Sequence, residues 1–395
     1  MKETLRQRFK QVLAPTSEEP MGIEIAGSQG NYLLGPKGEK YLDLISGISV
    51  SNLGHQNERI KTAIKEQVDS YLHTMVYGEY IQSPQIKLAE KLTQHLPEEL
   101  NSVYFVNSGS EAIEGAMKMA KKVTGKTDFV AFKNAYHGST HGALSLMGSD
   151  YFTGGYGPFL PGITHADYND PNSIDAITDK TAAVFVEPIQ GEAGAIPSKI
   201  AFISALRRRT RETGTLLIFD EIQSGMGRTG KLFAFEHHGI VPDAITIAKA
   251  FGGGMPLGAF VSSQRNMEFL SKNPVLGHIT TFGGHPVSCA AALASLEILT
   301  EHSLIRDVNY KESIFRKLLV HPKIKGISGK GLLLSLDLGT AAINHKVIDY
   351  CIANGVITDW FLFNEHSMRI APPLTITNEE IEVACETILK GIATS

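Results

Sequence analysis

The sequence predicts an α/β protein built on a mainly parallel sheet. Short apolar segments bounded by turn residues alternate with long amphipathic segments, an order typical of parallel strands joined by helices. Two of the apolar segments, 182–186 and 216–219, are hydrophobic at every position, as expected of strands buried on both faces. In addition, 38 of the 395 residues are glycine, which occurs where a backbone turns sharply or approaches a ligand closely.

The composition excludes several classes of protein. With 37 Lys and Arg against 41 Asp and Glu, the formal charge is −4, which offers no positive surface for nucleic acid. No run reaches the ~18 apolar residues of a membrane span, and the N-terminus interleaves charges where a secretory signal is apolar. The three cysteines are far apart and lack metal-binding spacing. We therefore expect a cytoplasmic protein that binds neither nucleic acid nor membranes and holds no metal.

The individual elements follow in chain order from the same patterns. Near the N-terminus, strand candidates at 23–26, 32–34 and 41–43 are separated by glycine turns at 27–30 and 35–38, as in a short β meander. A first alternating stretch has strands and helices predicted at 102–106, 111–123, 129–132, 181–187, 200–213, 215–220 and 244–248. After Pro286, a second stretch has elements predicted at 287–301, 331–338, 345–354, 356–359, 368–372 and 378–392.

This order predicts a large and a small domain. We expect a large domain at 46–285 and a smaller C-terminal α/β domain at 286–395, with the N-terminal segment 1–45 joining the small domain in space. No segment rich in Pro, Gly or Ser separates these parts, so we expect them to pack together.

The first candidate site lies where a predicted strand ends and a helix begins, at Ser108, Gly109 and Ser110. Free N–H groups at a helix N-terminus, with a glycine and two hydroxyls, suit a phosphate group. The alternative is a capping box between Ser108 and Glu111, which needs no ligand.

The second candidate is Asp220, the last residue of an apolar strand. Ligands of open α/β sheets bind at the carboxyl ends of strands, although a helix cap would explain the same carboxylate. The segment after it, 225–231, contains most of a nucleotide-binding P-loop. However, Leu232 stands where a magnesium-binding Ser or Thr is needed, and no strand enters the first glycine.

The third candidate is Lys249, which ends an apolar strand and enters a triple-glycine loop. Poor solvation there favours the neutral, nucleophilic amine, whereas a lysine reaching out to solvent is the alternative. A phosphate site, a strand-end carboxylate and a desolvated lysine together are the set of groups that binds pyridoxal 5′-phosphate (PLP).

Seven segments also resemble the motifs of one family, the class III aminotransferases of the fold type I PLP enzymes. These segments, which occur in the family's order, are N-S-G-S-E-A (107–112), A-Y-H-G-S-T (135–140), V-E-P-I-Q-G-E (186–192), D-E-I-Q-S-G (220–225), A-K-A-F-G-G-G (248–254), T-T-F-G-G-H-P (280–286) and R-I-A-P-P (369–373). The resemblance runs from about residue 24 to about residue 392. The chain is similar to acetylornithine, ornithine and 4-aminobutyrate aminotransferases. The resemblance implies a seven-stranded type of sheet and a homodimer.

The resemblance implies roles for the residues that hold the cofactor. Lys249 would form the Schiff base and then carry the proton, and Asp220 would keep the ring nitrogen protonated. The other residues implied to contact the cofactor are Ser108, Gly109 and Ser110 at the phosphate, Ile222 and Tyr136 on the two ring faces, Gln223 at the phenolic oxygen, His137, and Thr281 donated by the neighbouring subunit.

It also implies residues that contact the substrate. Arg369 would bind a substrate carboxylate, and Glu192 would pair with that arginine when no carboxylate is bound. Glu187 and Thr280 belong to the same set. Ser139 stands where acetylornithine and ornithine enzymes carry an arginine that binds a carboxylate. Either another cation substitutes for that arginine, or the substrates differ from the pair of an acylated ornithine and 2-oxoglutarate. Ile48 stands where ornithine enzymes carry an aromatic residue that selects free ornithine. At this position the chain resembles the acetylornithine and 4-aminobutyrate enzymes instead.

The implied activity is transfer of an amino group from an amine or ω-amino acid to a 2-oxo acid, such as 2-oxoglutarate or pyruvate, by a ping-pong mechanism. An aminomutase, racemase or lyase on the same scaffold is the alternative within PLP chemistry, because the cofactor residues do not decide which bond breaks. A nucleotide-dependent protein built on residues 225–231 is the alternative from another class.

Overall fold

A computed structural model describes residues 4–301 and 303–395. Within these residues the strands are β1 Gly27–Gln29, β2 Tyr32–Leu34, β3 Lys40–Asp43, β4 Ser102–Val106, β5 Asp128–Phe132, β6 Ile163–Ala166, β7 Thr181–Val186, β8 Ile189–Gln190, β9 Ile196–Pro197, β10 Leu216–Asp220, β11 Ala244–Ile247, β12 Gly258–Ser262, β13 Gly326–Lys330, β14 Leu333–Asp337, β15 Val356–Ile357, β16 Trp360–Phe361 and β17 Asn364–Ile370.

The same residues form α-helices of four to 17 residues. They are α1 Leu5–Val12, α2 Ser46–Ser49, α3 Glu58–Ser70, α4 Ser83–Thr93, α5 Gly109–Thr124, α6 His141–Ser145, α7 Asp150–Thr153, α8 Ile200–Thr213, α9 Gln264–Met267, α10 Pro286–Glu301, α11 Leu304–Leu318, α12 Ala341–Ala353 and α13 Asn378–Thr394. Short 3₁₀ helices lie at Pro171–Ala176, Ala234–His238, Lys249–Gly252 and Glu268–Ser271.

The main sheet has seven strands in the order β4-β12-β11-β10-β7-β5-β6. Five of them run parallel in direct pairs, and β12 is antiparallel to both β11 and β4. Strand β7 is buried at every position, which explains its unbroken apolar sequence. The predicted α/β class with a mainly parallel seven-stranded sheet is confirmed.

One edge of this sheet gathers the candidate residues. Because β12 is antiparallel to its two neighbours, β4 and β11 point the same way as the other strands. The carboxyl ends of β4, β5, β7, β10 and β11 therefore meet at one edge, as ligand sites of open α/β sheets require. The residues that follow these strands include Ser108, Tyr136, Glu187 and Lys249, and β10 itself ends in Asp220.

Two smaller sheets combine the ends of the chain. Strands β1, β2 and β3 form an antiparallel meander, and β15 pairs parallel with β3 through Val356 and Leu42. Strands β13, β14, β17 and β16 form an antiparallel sheet in that order. The strand predicted at 23–26 is wrong, since β1 is Gly27–Gln29, where a turn was expected. Pairing of Gly27 with Leu34 sets this register, and Ile25 remains exposed.

The segment that resembles a P-loop forms consecutive turns and no helix. Its Arg228 is fully buried and donates to the backbone oxygens of Leu332, at 2.9 Å, and Pro372. The same guanidinium donates to the side chains of Ser46 and Asn52. The segment thus connects the turns after β10 to α2 and to the C-terminal part of the chain. Positive φ at Gly227 and Gly230, of 87° and 84°, accounts for these two glycines without a nucleotide.

Two classes of feature are absent from the described residues. No helix in 4–301 or 303–395 is long and apolar enough to cross a membrane. Nor do these residues contain a group of three or more His, Cys, Asp or Glu side chains that could hold a metal ion.

Candidate active site

A cavity of about 430 Å³ lies at the carboxyl edge of the main sheet. Its walls bring together ten of the residues singled out from the sequence: Ser108, Gly109, Ser110, Tyr136, His137, Glu187, Asp220, Ile222, Gln223 and Lys249. These residues come from five different loops. Their meeting in one cavity follows from the parallel strand order described above.

The N-terminus of α5 forms one wall of the cavity. Ser108 is the N-cap residue, and its hydroxyl accepts from the Glu111 N–H at 3.2 Å. The Glu111 carboxylate accepts from the main-chain and side-chain nitrogens of Asn107 instead of returning to Ser108, so the reciprocal capping box is not made. Since the first N–H groups of a helix have no intrahelical acceptor, this end of a 16-residue helix suits an anion.

Asp220 is fixed at the end of β10 by two hydrogen bonds. One carboxylate oxygen lies 2.7 Å from His137 Nδ1, and the other accepts from the Ile222 N–H at 3.0 Å. Burial acts to lower the pKa of His137, but the hydrogen bond to Asp220 and its charge outweigh burial and raise that pKa. The pair is almost completely buried, so Asp220 presents a fixed charge to the cavity.

Lys249 follows β11 in a backbone conformation with φ of +51°, where the strand gives way to a 3₁₀ helix. Burial lowers the pKa of its amine, against the opposing charges of Glu192 and Asp220. A lowered pKa increases the fraction of neutral amine, the form that attacks a carbonyl or accepts a proton.

Glu187 follows β7 and is buried beside His137 and Asp220. Its two oxygens accept from the Gly191 N–H at 3.1 Å and the Tyr136 N–H at 3.4 Å. Burial raises the pKa of its carboxyl group to about 8, with a smaller opposing effect from His137. Glu187 therefore joins two loops of the cavity while holding a proton at neutral pH.

Close approach of the loops requires glycine at two cavity positions. A Cβ on Gly138 would lie 2.1 Å from Ser110 Oγ, and a Cβ on Gly191 would lie 1.8 Å from Gln223 Oε1. Both distances are shorter than any non-bonded contact, so these glycines allow Ser110 and Gln223 to reach the positions that they occupy.

The cavity fits the phosphorylated pyridine cofactor that the sequence indicates. Gln223 Nε2 and His137 Nε2 are buried without a hydrogen-bond partner in the described part of the chain, and such groups are costly unless a ligand or water satisfies them. The α5 terminus suits the phosphate, Asp220 suits a protonated ring nitrogen, and Lys249 supplies the amine. Tyr136 and Ile222 supply apolar surfaces for a flat ring.

Arg369 lies on β17 outside the cavity lining, in a buried ion cluster. Its two terminal nitrogens each lie 2.9 Å from an oxygen of Glu192, and its Nε lies 2.7 Å from Asp359. Burial acts to raise the pKa of Glu192, but Arg369 outweighs it and keeps that pKa low. The predicted partners Arg369 and Glu192 are thus in contact. Asp359 was not predicted; the signal that could have indicated it is an acid ten residues before Arg369, directly before β16.

Four other predicted residues lie outside the cavity lining. Ser139 is exposed beside it, and its hydroxyl lies 3.1 Å from the Tyr136 hydroxyl. Thr280 accepts from Asn107 and lines a neighbouring groove, and Thr281 is exposed. Ile48 does not line the cavity, whereas Val50 two residues later does. Val50 and Met255 carry no chemical group that a sequence motif could single out.

Comparison with known proteins identifies the family of the chain. The family model "Aminotransferase class-III" matches residues 13–392. The acetylornithine aminotransferase of Archaeoglobus fulgidus is 36% identical over 386 residues, covering 98% of this chain and 99% of that protein. The acetylornithine aminotransferase of Bacillus subtilis is 38% identical over 377 residues, covering 94% and 95%.

A solved structure extends the comparison to the fold. The ornithine aminotransferase of Toxoplasma gondii, described with partial occupancy of PLP at its active site, superposes with a TM-score of 0.91 at 28% identity. The match covers 98% of this chain and 93% of that one. The expected family, fold, cofactor and transaminase activity are confirmed, and the aminomutase, racemase and lyase alternatives are not favoured. The chain belongs to the class III aminotransferases, enzymes that transfer amino groups with PLP.

Proposed function

We propose that this aminotransferase takes its amino group from an amine or ω-amino acid and delivers it to 2-oxoglutarate or pyruvate. The observation that carries the proposal is the distribution of cations. Lys249 is the sole Lys or Arg among the described residues that line the cavity, and Arg369 is engaged by two carboxylates. A donor amine can therefore enter without a carboxylate, while a carboxylate must displace Glu192 to reach Arg369.

We assign the cofactor-binding roles to the residues of the cavity. PLP, when bound, supplies an electron sink for the carbon that carries the amino group. The Lys249 amine takes and returns the proton at that carbon, since its pKa is lowered and it lies in the cavity. Asp220 holds the proton on the ring nitrogen, Ser110 and the α5 N-terminus bind the phosphate, and Gln223 donates to the ring oxygen. Tyr136 and Ile222 hold the ring between them.

Ser139 supports a donor that differs from acetylornithine. It stands where acetylornithine and ornithine enzymes carry a carboxylate-binding arginine, and its exposed hydroxyl meets Tyr136 instead. A neutral hydroxyl cannot form the bidentate contact that a guanidinium makes with a distal carboxylate. We therefore propose that the donor places no carboxylate at this position.

We further propose a homodimer in which Thr281 completes the phosphate site of the neighbouring subunit. Thr281 is exposed, and next to it lies an apolar groove of about 420 Å³ between residues 76–89 and 280–283. Ile81 is 94% exposed there, and Tyr80 and Phe282 are more than half exposed. An apolar surface of this kind is typical of a protein interface.

The domain division and the cellular location are proposed on similar grounds. Pairing of β15 with β3 supports a small domain formed by residues 1–45 together with 286–395, next to a large domain at 46–285. The cysteines Cys289, Cys351 and Cys385 are buried and unpaired, which supports the cytoplasm as a reducing compartment.

Two spectroscopic measurements test the reaction and the role of Lys249. Adding an amine alone should convert the yellow enzyme to the pyridoxamine form, which persists until a 2-oxo acid is added. Borohydride should fix the cofactor on the peptide that contains Lys249. A colourless protein that cannot be loaded with PLP, or a label on another lysine, would contradict the assignment.

A panel of donors and acceptors, repeated with Ser139→Arg, tests the proposed substrate class. The substitution should improve the use of donors with a carboxylate remote from the reacting amine, such as acetylornithine, and leave simple amines unaffected. If the wild-type enzyme already prefers acetylornithine, or if Ser139→Arg changes neither group of donors, the proposal for Ser139 is wrong.

A further inference from the structure

The guanidinium of Arg369 is held on every nitrogen. Glu192 binds both terminal nitrogens, and the Trp360 carbonyl accepts from one of them at 3.1 Å. Asp359 binds Nε at 2.7 Å, and the Asp359 carbonyl also accepts from the Arg369 main-chain N–H at 2.9 Å. The face of the guanidinium stacks over Phe361, 4.5 Å from the ring centroid.

Two of these contacts differ in how they could respond to a substrate. Glu192 lies on the loop after β8, and its carboxylate presents the two parallel oxygens that a substrate carboxylate would replace. Asp359 contacts the guanidinium through Nε instead, and it is the residue directly before β16, the strand that pairs with β17. Displacement of Glu192 would therefore leave the Asp359 contact in place.

The charges of the cluster follow from this arrangement. One guanidinium and two carboxylates carry a net charge of −1, and the side chains are only 2% exposed for Arg369, 6% for Glu192 and 16% for Asp359. A substrate carboxylate that takes the place of Glu192 is again a negative charge in this poorly solvated region. Asp359 repels that charge while it holds the arginine in place.

We propose that Asp359 is a positioning and specificity-determining residue, which fixes the Arg369 guanidinium through Nε and weakens its affinity for carboxylate ligands. The inference rests on the proposed role of Arg369 in carboxylate binding. Because Arg369 binds a carboxylate ligand less tightly, Glu192 can readily form its ion pair with Arg369 again. One cavity can then serve both amines that lack a carboxylate and 2-oxo acids that carry one. Asp359 thus adjusts the affinity of Arg369 for carboxylates without contacting the substrate itself.

Asp359→Asn separates the two parts of the proposal. The asparagine keeps an oxygen that can accept from Arg369 Nε and removes the charge. We expect the dissociation constant of glutarate, a dicarboxylate without a reactive group, to fall by roughly threefold to tenfold when it is titrated calorimetrically into the PLP-loaded enzyme. Asp359→Ala removes the acceptor as well, so it should bind glutarate more weakly than Asp359→Asn does.

Kinetics with two matched donors provide a second measurement. Butylamine and 4-aminobutyrate share the same carbon chain and amine, and only the latter carries a carboxylate. Asp359→Asn should lower the KM for 4-aminobutyrate and leave the KM for butylamine unchanged. Asp337→Asn is the control, because Asp337 lies on the neighbouring strand β14, is 39% exposed and does not contact Arg369.

The results separate failure of this inference from failure of the proposed function. If Arg369→Ala leaves glutarate binding unchanged, or if glutarate binds neither the wild type nor Asp359→Asn, Arg369 does not bind carboxylates and the proposed function is wrong at that residue. If Arg369→Ala weakens binding but Asp359→Asn and Asp337→Asn behave alike, the role of Asp359 is wrong. If Asp359→Asn and Asp359→Ala lose glutarate affinity to the same extent, the contact between Asp359 and Arg369 is purely structural.

Discussion

At the scale of single residues, Gly191 sets the position of Gln223. An alanine Cβ at 191 would lie 1.8 Å from Gln223 Oε1, so Gly191→Ala must move the glutamine. Because Gln223 Nε2 is buried without a partner among the described residues and is proposed to bind the cofactor, we expect Gly191→Ala to weaken PLP binding by about tenfold. Fluorescence titration of the cofactor-free protein with PLP measures the change.

A double substitution shows whether the effect of Gly191→Ala passes through Gln223. In a Gln223→Ala background the clash is relieved, so Gly191→Ala should cause little further loss of PLP affinity. Additive losses in the double variant would mean that Gly191 acts on the cofactor by another route.

The buried carboxyl group of Glu187 predicts a pH dependence of stability. The folded protein keeps this proton up to a pKa of about 8, whereas the unfolded glutamate loses it near 4.5. Between these values the folded state binds more protons, so stability falls as pH rises. Glu187→Gln removes this effect. Its stability relative to the wild type should therefore increase between pH 5 and 8, by roughly a few kcal/mol in total.

Urea unfolding at several pH values checks this difference, with Glu192→Gln as the control. Arg369 holds the pKa of Glu192 below its usual value, so the stability contributed by ionised Glu192 is present above about pH 4.5 and is lost only at lower pH. Glu192→Gln should therefore destabilise the protein by a constant amount over pH 5 to 8. A constant difference for Glu187→Gln as well would contradict its raised pKa.

The sequence identified the residues that carry chemistry more readily than those that act by shape or through a neighbour. Lys249, Asp220 and Ser108 each follow a recognisable strand, and the cavity contains them all. Asp359 was not predicted, because its contact with Arg369 depends on the pairing of β16 with β17, which no local pattern specifies. Val50 lines the cavity only because of the unusual backbone that precedes it.

At the scale of elements, α2, Ser46–Ser49, is a single left-handed turn directly before Val50. All four residues have positive φ, with values of 47°, 63°, 60° and 63°, although only one is glycine. Left-handed backbone costs ~1–2 kcal/mol for each residue with a Cβ. Ser49 also buries a hydroxyl that has no hydrogen-bond partner within residues 4–301 and 303–395. Ser49→Gly relieves both costs, so we expect it to stabilise the protein by roughly 1–2 kcal/mol.

Ser46→Gly is the matched substitution in the same turn. It relieves similar strain but removes a hydroxyl that donates to the Ala371 carbonyl at 2.7 Å and accepts from Arg228 at 3.2 Å. Loss of these two buried bonds should make it less stable than Ser49→Gly by at least about 2 kcal/mol. Urea midpoints of the two variants measure the difference, and equal midpoints would show that the hydroxyl contacts contribute nothing.

The elements themselves were predicted unevenly, for identifiable reasons. Helix α8 has the predicted bounds, because its amphipathic pattern lies between two clear strands. Strand β12 was missed, since its sequence follows a glycine-rich loop and one of its two partners, β4, is distant in the chain. Strand β1 was misplaced because alternating Ile and Glu at 23–25 imitate a strand, whereas pairing with β2 selects Gly27–Gln29.

At the scale of the whole molecule, one residue ties the separate parts of the chain together. Arg228, in the turns after β10, donates to Ser46 of α2 and to the C-terminal segment through Leu332 and Pro372. The C-terminal contact lies three residues from Arg369. The position of the substrate arginine relative to the cavity thus depends on contacts between the turns after β10 and the C-terminal segment.

The proposed dimer makes the active site depend on two chains, and mixed subunits test this directly. Lys249→Ala abolishes the site of its own chain, and Thr281→Asp places a negative charge beside the phosphate of its partner. In a mixed dimer, one site has both wild-type residues and the other has neither. Each parent should therefore have little activity, while refolding equal amounts together should restore about a quarter of the wild-type specific activity. The control is wild type refolded with Lys249→Ala/Thr281→Asp, whose mixed dimers contain no intact site. Wild-type homodimers, a quarter of the dimers in the control, should give that mixture about a quarter of the wild-type activity as well. If Thr281 serves its own subunit, the first mixture should stay inactive while the control keeps about half of the wild-type activity.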